Sequence, residues 1–299
     1  MKTIIFSLLV LICQQSAMSQ NGKNDFFLWQ VNINGSEFIL AGSIHAGKPE
    51  NYPPRDVYIN AYNQADNVIL EIKEGLKELD KLKFNYAGKD SLEEGQYLHK
   101  RLSPESREML SLLLKGKEAL LVRYYHYEPW LLNMIVSGRR CIFLGYDPEL
   151  SVDMYFHDLA VRDNKKITGF EKVETQLALF DLNVPYETQL KILESGIQTA
   201  QQRALNEQPL FENYYNSDVE GFKEAFLASM NPENPQMRAV YDRIFASRNK
   251  AWVKKLIELS SSNPGTYFML VGSGHYFGPE NIPELLEKEG FTVKPYIAR

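Results

Sequence analysis

Apolar and polar positions follow two rhythms along this chain. Short, largely apolar runs bounded by turn-forming residues read as buried strands: Phe26 to Val31, Glu37 to Ala41, Val68 to Ile72, Cys141 to Leu144, Lys166 to Phe170, Tyr267 to Val271 and Phe291 to Pro295. The first two flank Asn34-Gly35, a pair suited to a two-residue hairpin turn. Between the later runs, apolar residues recur at spacings of three and four, which predicts helices. Most of 73–138 and of 171–262 follows this rhythm, with long helices over Glu187 to Gln208 and Pro235 to Leu259. Ser103-Pro104 reads as an N-cap followed by a proline at the first helical position. The order implies an α/β fold: a mixed β-sheet built from both ends of the chain, flanked by helices and carrying a helical insert.

The N-terminus changes the picture of where the protein acts. Lys2, the apolar stretch Ile4 to Ile12 and the small-x-small site Ala17-Met18-Ser19 have the layout of a secretory signal peptide over 1–19. The apolar stretch is too short to span a bilayer, which takes roughly 20 residues. The expectation is a secreted or periplasmic protein, with 20–299 as one α/β domain with helical insertions and no membrane span after signal removal. Cys13 falls inside the signal, where the bulky Ile12 before it disfavours a lipid anchor. Cys141 is then the remaining cysteine, expected to pack as a small apolar residue at a strand start, so no internal disulfide can staple the fold. The net charge of −5, without a basic stripe, argues against a nucleic-acid partner.

Two tetrapeptides carry the strongest chemical signal. Gly42-Ser43-Ile44-His45 and Gly272-Ser273-Gly274-His275 each follow a predicted strand. A strand-end glycine allows a sharp turn and close approach, and open α/β sheets bind ligands beyond their strand ends. His45 and His275 are therefore expected to meet in one cleft, as bases or metal ligands. Among carboxylates, Glu71 interrupts an apolar strand and Glu171 stands at another strand end, and both are candidate site residues. Glu174 is expected only to decorate a helix N-terminus.

Arg248 shares a helical stripe with Met237, Tyr241, Ile244 and Trp252. A guanidinium there needs a carboxylate or a substrate oxyanion, unless it snorkels to the helix edge. Asp153 is either such a carboxylate or a turn or helix-cap residue. His99 is expected to be exposed, and His157 to sit near a helix end. His126 belongs to the aromatic cluster Tyr124 to Trp130, which either lines a groove or packs a core. The charge run Lys73 to Lys83 reads as a solvated helix face. A His-Glu-x-x-His helix and a Gly-x-Ser-x-Gly elbow are both missing, and Gly272-x-Gly274-x-x-x-Gly278 has the wrong last spacing for a dinucleotide loop.

From Phe38 onward the chain resembles the TraB/GumN family, which includes the Tiki metalloproteases. The resemblance rests on Leu40 to His45, Val68 to Glu71, Val152-Asp153, Lys165 to Glu171 with Gln176, Arg248-Asn249 with Trp252, and Val271 to Gly278. It implies a hydrolase site for a divalent metal (Mn, Co or Zn) held by His45 and His275 with Glu71 or Glu171, and a peptide or protein substrate. Under that reading a glutamate takes the proton of the metal-bound water, and Arg248 steadies an oxyanion or a substrate carboxylate. Ser43 stands where threonine is commoner, and Phe170 where leucine is; neither change removes a ligand. The more distantly similar erythromycin esterases imply a metal-free histidine–glutamate variant. A peptide- or pheromone-binding protein without turnover is the third possibility.

Overall fold

The computed structural model describes residues 26–88, 91–181 and 183–298. The expected signal peptide and Cys13 lie outside them. Six strands, β1 (Leu28–Ile33), β2 (Ser36–Ser43), β3 (Asn67–Leu70), β4 (Lys166–Gly169), β5 (Thr266–Gly272) and β6 (Lys294–Pro295), form one mixed sheet in the order β4-β3-β5-β2-β1-β6. The chain's two ends supply its centre, as the apolar runs implied.

β1 and β2 form the antiparallel hairpin, and Asn34 and Gly35 turn it at φ 50° and 88°. Positive φ at both central residues gives the turn the same twist as the strands. β2, β5, β3 and β4 are mutually parallel, with Ser43 opposite Gly272, Leu70 opposite Leu270, and Leu70 opposite Gly169. The register aligns four strand ends on one edge. The residues that follow them are the segments carrying His45, His275, Glu71 and Glu171.

Ile39, Leu40, Val68, Ile69, Phe268, Met269 and Leu270 are buried in the main core. Each such side chain contributes about 1.5–3 kcal/mol relative to exposure, so this edge rests on a rigid base. A second core belongs to the helical insert, where Phe84, Leu110, Trp130, Leu131 and Leu193 pack together. Tyr124 and Trp130 are buried there and Tyr125 and Tyr127 pack against them, so the aromatic cluster around His126 is core packing.

Several elements differ from their sequence reading. Cys141 to Leu144 is not a strand: Arg140–Leu144 continues the preceding helix as a 3-10 turn and stops at Gly145, φ 76°. Its apolar run packs against the helix Ala200–Tyr215, with Cys141 also beside Ala46 beyond β2, and does not join the sheet. Cys141 is buried, as expected of its packing role. The long helix expected from Glu187 breaks at Thr199 into Tyr186–Gln198 and Ala200–Tyr215. The helix from Pro235 holds, but a π turn over Asp242–Ala246 interrupts it just before Arg248. His157 stands mid-helix in Val152–Arg162, its Nδ1 3.0 Å from Asp158 Oδ1. Among the described residues, no helix is long and apolar enough to cross a membrane.

Candidate active site

The two Gly-x-x-His turns leave neighbouring parallel strands and are tied together. Ser273 Oγ donates to the Ser43 carbonyl at 2.9 Å, and Tyr276 Oη donates to the Ala41 carbonyl at 3.1 Å. A Cβ on Gly42 would stand 2.6 Å from Ser273 Oγ, so the approach requires glycine. Gly272 is central in another way. A Cβ built there would be 3.3 Å from Glu71 Oε1, 3.4 Å from His45 Nε2 and 3.8 Å from His275 Cδ2. Both histidines and Glu71 therefore crowd one point, in a cleft of about 460 Å³.

His45 is held from the opposite side by Asp153. The His45 Nδ1–Asp153 Oδ2 distance is 2.9 Å, and Ser43 Oγ donates to Asp153 Oδ1 at 2.7 Å. Asp153 lies in the first turn of the helix Val152–Arg162, which Ser151 caps by accepting from the Met154 N–H. The Asp153 charge raises the His45 pKa from 6.5 to about 9, against the opposing effect of burial within the cleft walls. Water still reaches 71% of the side chain, which screens that charge and tempers the size of the shift but not its direction.

His275 is the opposite case. It is 2% exposed, and burial lowers its pKa to about 3 although Glu71 works to raise it. Its Nδ1–H donates to Asn249 Oδ1 at 2.6 Å; Asn249 Nδ2 donates to the Glu280 carbonyl at 3.0 Å, which fixes the amide's orientation. The bare Nε2 then accepts from Arg248 Nη1 at 3.4 Å.

Arg248 organises the rest. Nη2 donates to Glu71 Oε2 at 2.7 Å, Nε donates to both oxygens of Glu171 at 3.0 and 3.1 Å, and Nη1 also donates to the Ile244 carbonyl at 3.1 Å. Glu171 Oε1 accepts from Trp252 Nε1 at 2.9 Å. Glu71 Oε1 accepts from the Gly272 N–H at 2.8 Å, and its Oε2 from Gln176 Nε2 at 3.0 Å. Burial works to raise the Glu71 carboxyl, but His275, Arg248, His45 and the Gly272 N–H pull it down to about 2. At neutral pH His275 carries no charge, so the permanent guanidinium, the protonated His45 and the Gly272 N–H keep Glu71 ionised.

The sequence model of the TraB/PrgY/gumN family matches residues 27–295. The chain belongs to this family. An uncharacterized protein YbaP of Escherichia coli (strain K12) is 24% identical over 269 residues, covering 88% of this chain and 94% of that protein. An uncharacterized protein of Treponema pallidum (strain Nichols) is 22% identical over 284 residues, covering 87% and 80%. No solved structure matches.

In this TraB/PrgY/gumN member, five residues singled out from sequence, His45, Glu71, Glu171, Arg248 and His275, gather at one strand-end edge. Glu71 stands one residue beyond β3 instead of interrupting it. Glu174 is an exposed first-turn residue. Asp153 does not partner Arg248; its place beside His45 was not legible, because nothing in the spacing links two residues 108 positions apart. Asn249 and Gln176 were legible only as neighbours within the resembling motifs.

The expected metal set does not fit this arrangement. The Nε2 atoms of both histidines are suitable donors, each with its Nδ1 tied to a second partner. Glu171 and Oε2 of Glu71, however, are turned toward Arg248, Oε1 of Glu71 is taken by the Gly272 N–H, and the Arg248 guanidinium also contacts His275 Nε2. That guanidinium is already the positive charge these donors surround, and a divalent ion would be a second cation beside it. Among the described residues, no three His, Cys, Asp or Glu side chains are placed to hold a metal.

Proposed function

We propose that this protein is a hydrolase of peptide or related acyl bonds in which His45 is the base for an attacking water. The observation that carries this reading is the Asp153–His45 pair opening onto the cleft. Glu71 at about 2 and His275 at about 3 are too weakly basic to take a proton near neutral pH. His45 is the one strong base of the set. In its neutral form, which gains population as pH rises toward about 9, His45 gives its Nδ1–H to Asp153 and turns the Nε2 lone pair toward Gly272, and Asp153 steadies the imidazolium that forms when Nε2 takes a proton.

Water oxygen attacks the carbonyl carbon while its proton passes to His45 Nε2. The carbonyl electron pair moves to oxygen; as it returns, the bond to the leaving nitrogen or oxygen breaks and that atom takes the proton from His45 Nε2. The Arg248–Glu71–Glu171 group fixes the cleft floor. Most of the Arg248 N–H groups are engaged by carboxylates, the Ile244 carbonyl and His275, so its main part is to position Glu71 and His275. The resemblance to Tiki proteins supports a peptide substrate, and that to erythromycin esterases supports activation without a metal. The apolar N-terminal segment supports a secreted or periplasmic place of action.

The test is turnover of a peptide and ester library by chelator-treated protein, with and without manganese, cobalt or zinc. Turnover that survives chelation is the expected result. Turnover that requires added metal would return the reading to a metallopeptidase. Peptide binding without turnover under any condition would make the protein a sequestering one.

A further inference from the structure

The cleft is divided. Its polar end holds Ser43, His45, Glu71, Gln176, Arg248 and His275, while Phe180, Leu210, Phe211, Phe226, Ile244 and Phe245 wall the rest. The apolar wall is built against the chemistry, not apart from it. The Phe245 ring meets His275 edge-on at 5.0 Å between centroids, and Phe226 meets Phe245 at 5.2 Å and 88°. Interlocked edge-to-face rings hold their shape. Phe180 stands at the wall 44% exposed.

The charges along this wall are already matched. Arg140 Nε donates to Glu207 Oε2 at 2.7 Å, and a second contact joins Arg140 Nη2 to Glu207 Oε1. Among the described residues that line the cleft, no other cation stands at the apolar end to partner a phosphate or carboxylate. An uncharged apolar group does fit.

We propose that this wall is a side-chain subsite that selects a peptide with a phenylalanine- or leucine-sized residue next to the bond that is cleaved. The inference rests on the hydrolase reading and names its substrate class. The wall begins at His275, so an apolar group in it lies beside the reacting carbonyl, as the side chain of the adjoining residue does. A volume of about 460 Å³ suits a compact group with the backbone around it, at the lower part of the usual range for small-ligand clefts.

The experiment separates binding from turnover. Blocked hexapeptides that differ at one position (Phe, Leu, Ser or Asp) are titrated calorimetrically into the His45→Ala full-length chain, and the same peptides are offered to the unaltered protein. A decanoyl amide is a further probe. Phe and Leu peptides are expected to bind about tenfold or more tighter than Ser and Asp peptides, from burial of the side chain. Phe180→Asp and Leu210→Asp, on partly exposed positions, should remove that preference while circular dichroism stays unchanged. Equal binding of all four peptides, a preference untouched by both substitutions, or binding of the decanoyl amide alone would overturn the proposal. Preference without cleavage would sink the hydrolase reading and leave the subsite; cleavage without preference would do the reverse.

Discussion

Asp153 Oδ2 lies 2.9 Å from His45 Nδ1, and its other oxygen accepts the Ser43 hydroxyl at 2.7 Å. The carboxylate is thus clamped at both oxygens by one Gly-x-x-His turn, and the imidazole it holds is the most open group of the site. A base of this kind works only when unprotonated. Because Asp153 raises the His45 pKa, hydrolysis should fall as pH drops through a value above 6.5, toward about 9. Asp153→Asn removes the raising charge and should shift that limb of the kcat/KM profile to lower pH while lowering the plateau. A limb that stays in place in Asp153→Asn would assign it to another group.

Arg248 bridges two carboxylates that are largely buried, with side-chain exposures of 13% for Glu71 and 9% for Glu171. Arg248→Ala leaves both without their cation and should cost about 3–5 kcal/mol of stability, read from the urea midpoint. Arg248→Lys should recover only part, since an ammonium cannot meet both carboxylates and His275 as a planar fork does. An Arg248→Ala protein as stable as the original would mean that the glutamates find other partners.

The same contacts set an acid limit. The folded-state pKa of Glu71 is lowered from 4.5 to about 2. Its contribution to stability is therefore complete above pH 4.5 and lost as pH falls through about 2. His45 has the opposite sign: its pairing stabilises below pH 6.5 and fades as pH rises through about 9. Chemical denaturation between pH 2 and 10 should show the acid-side loss shrink in Glu71→Gln and the alkaline-side loss shrink in His45→Ala.

The strands around Leu40, Val68 and Leu270 were legible because short apolar runs between turn residues have few other meanings. Once the strands were placed, matched glycine–histidine turns pointed to one edge. The run Cys141 to Leu144 reads as a strand but forms a turn, because a four-residue apolar run carries no sign of its partner. The break at Thr199 and the π turn at Asp242–Ala246 were equally silent, since neither needs a proline or glycine. Asp153 was hidden for a third reason: its role exists only once the helix Val152–Arg162 docks beside β2.

Gly272 offers a test that spares the ionisable groups. Its φ of −50° suits any residue, so alanine should leave the backbone in place. The added methyl would stand 3.3 Å from Glu71 Oε1 and 3.4 Å from His45 Nε2. Gly272→Ala should therefore keep its melting temperature within a few degrees and lose about 100-fold in turnover, as small misplacements do. Full activity would show that the space between His45 and Glu71 is not where water is activated.

The most direct measurement is the rate of His45→Ala with and without free imidazole. Removing a general base commonly costs ~10²–10⁴ in rate. The open side of His45 leaves room for a small base to enter. Peptide or ester hydrolysis by His45→Ala is expected to fall by that factor and to recover in part as imidazole is added, in the presence of chelator. Undiminished hydrolysis by His45→Ala, or a loss that only manganese, cobalt or zinc restores, would contradict a water activated by His45.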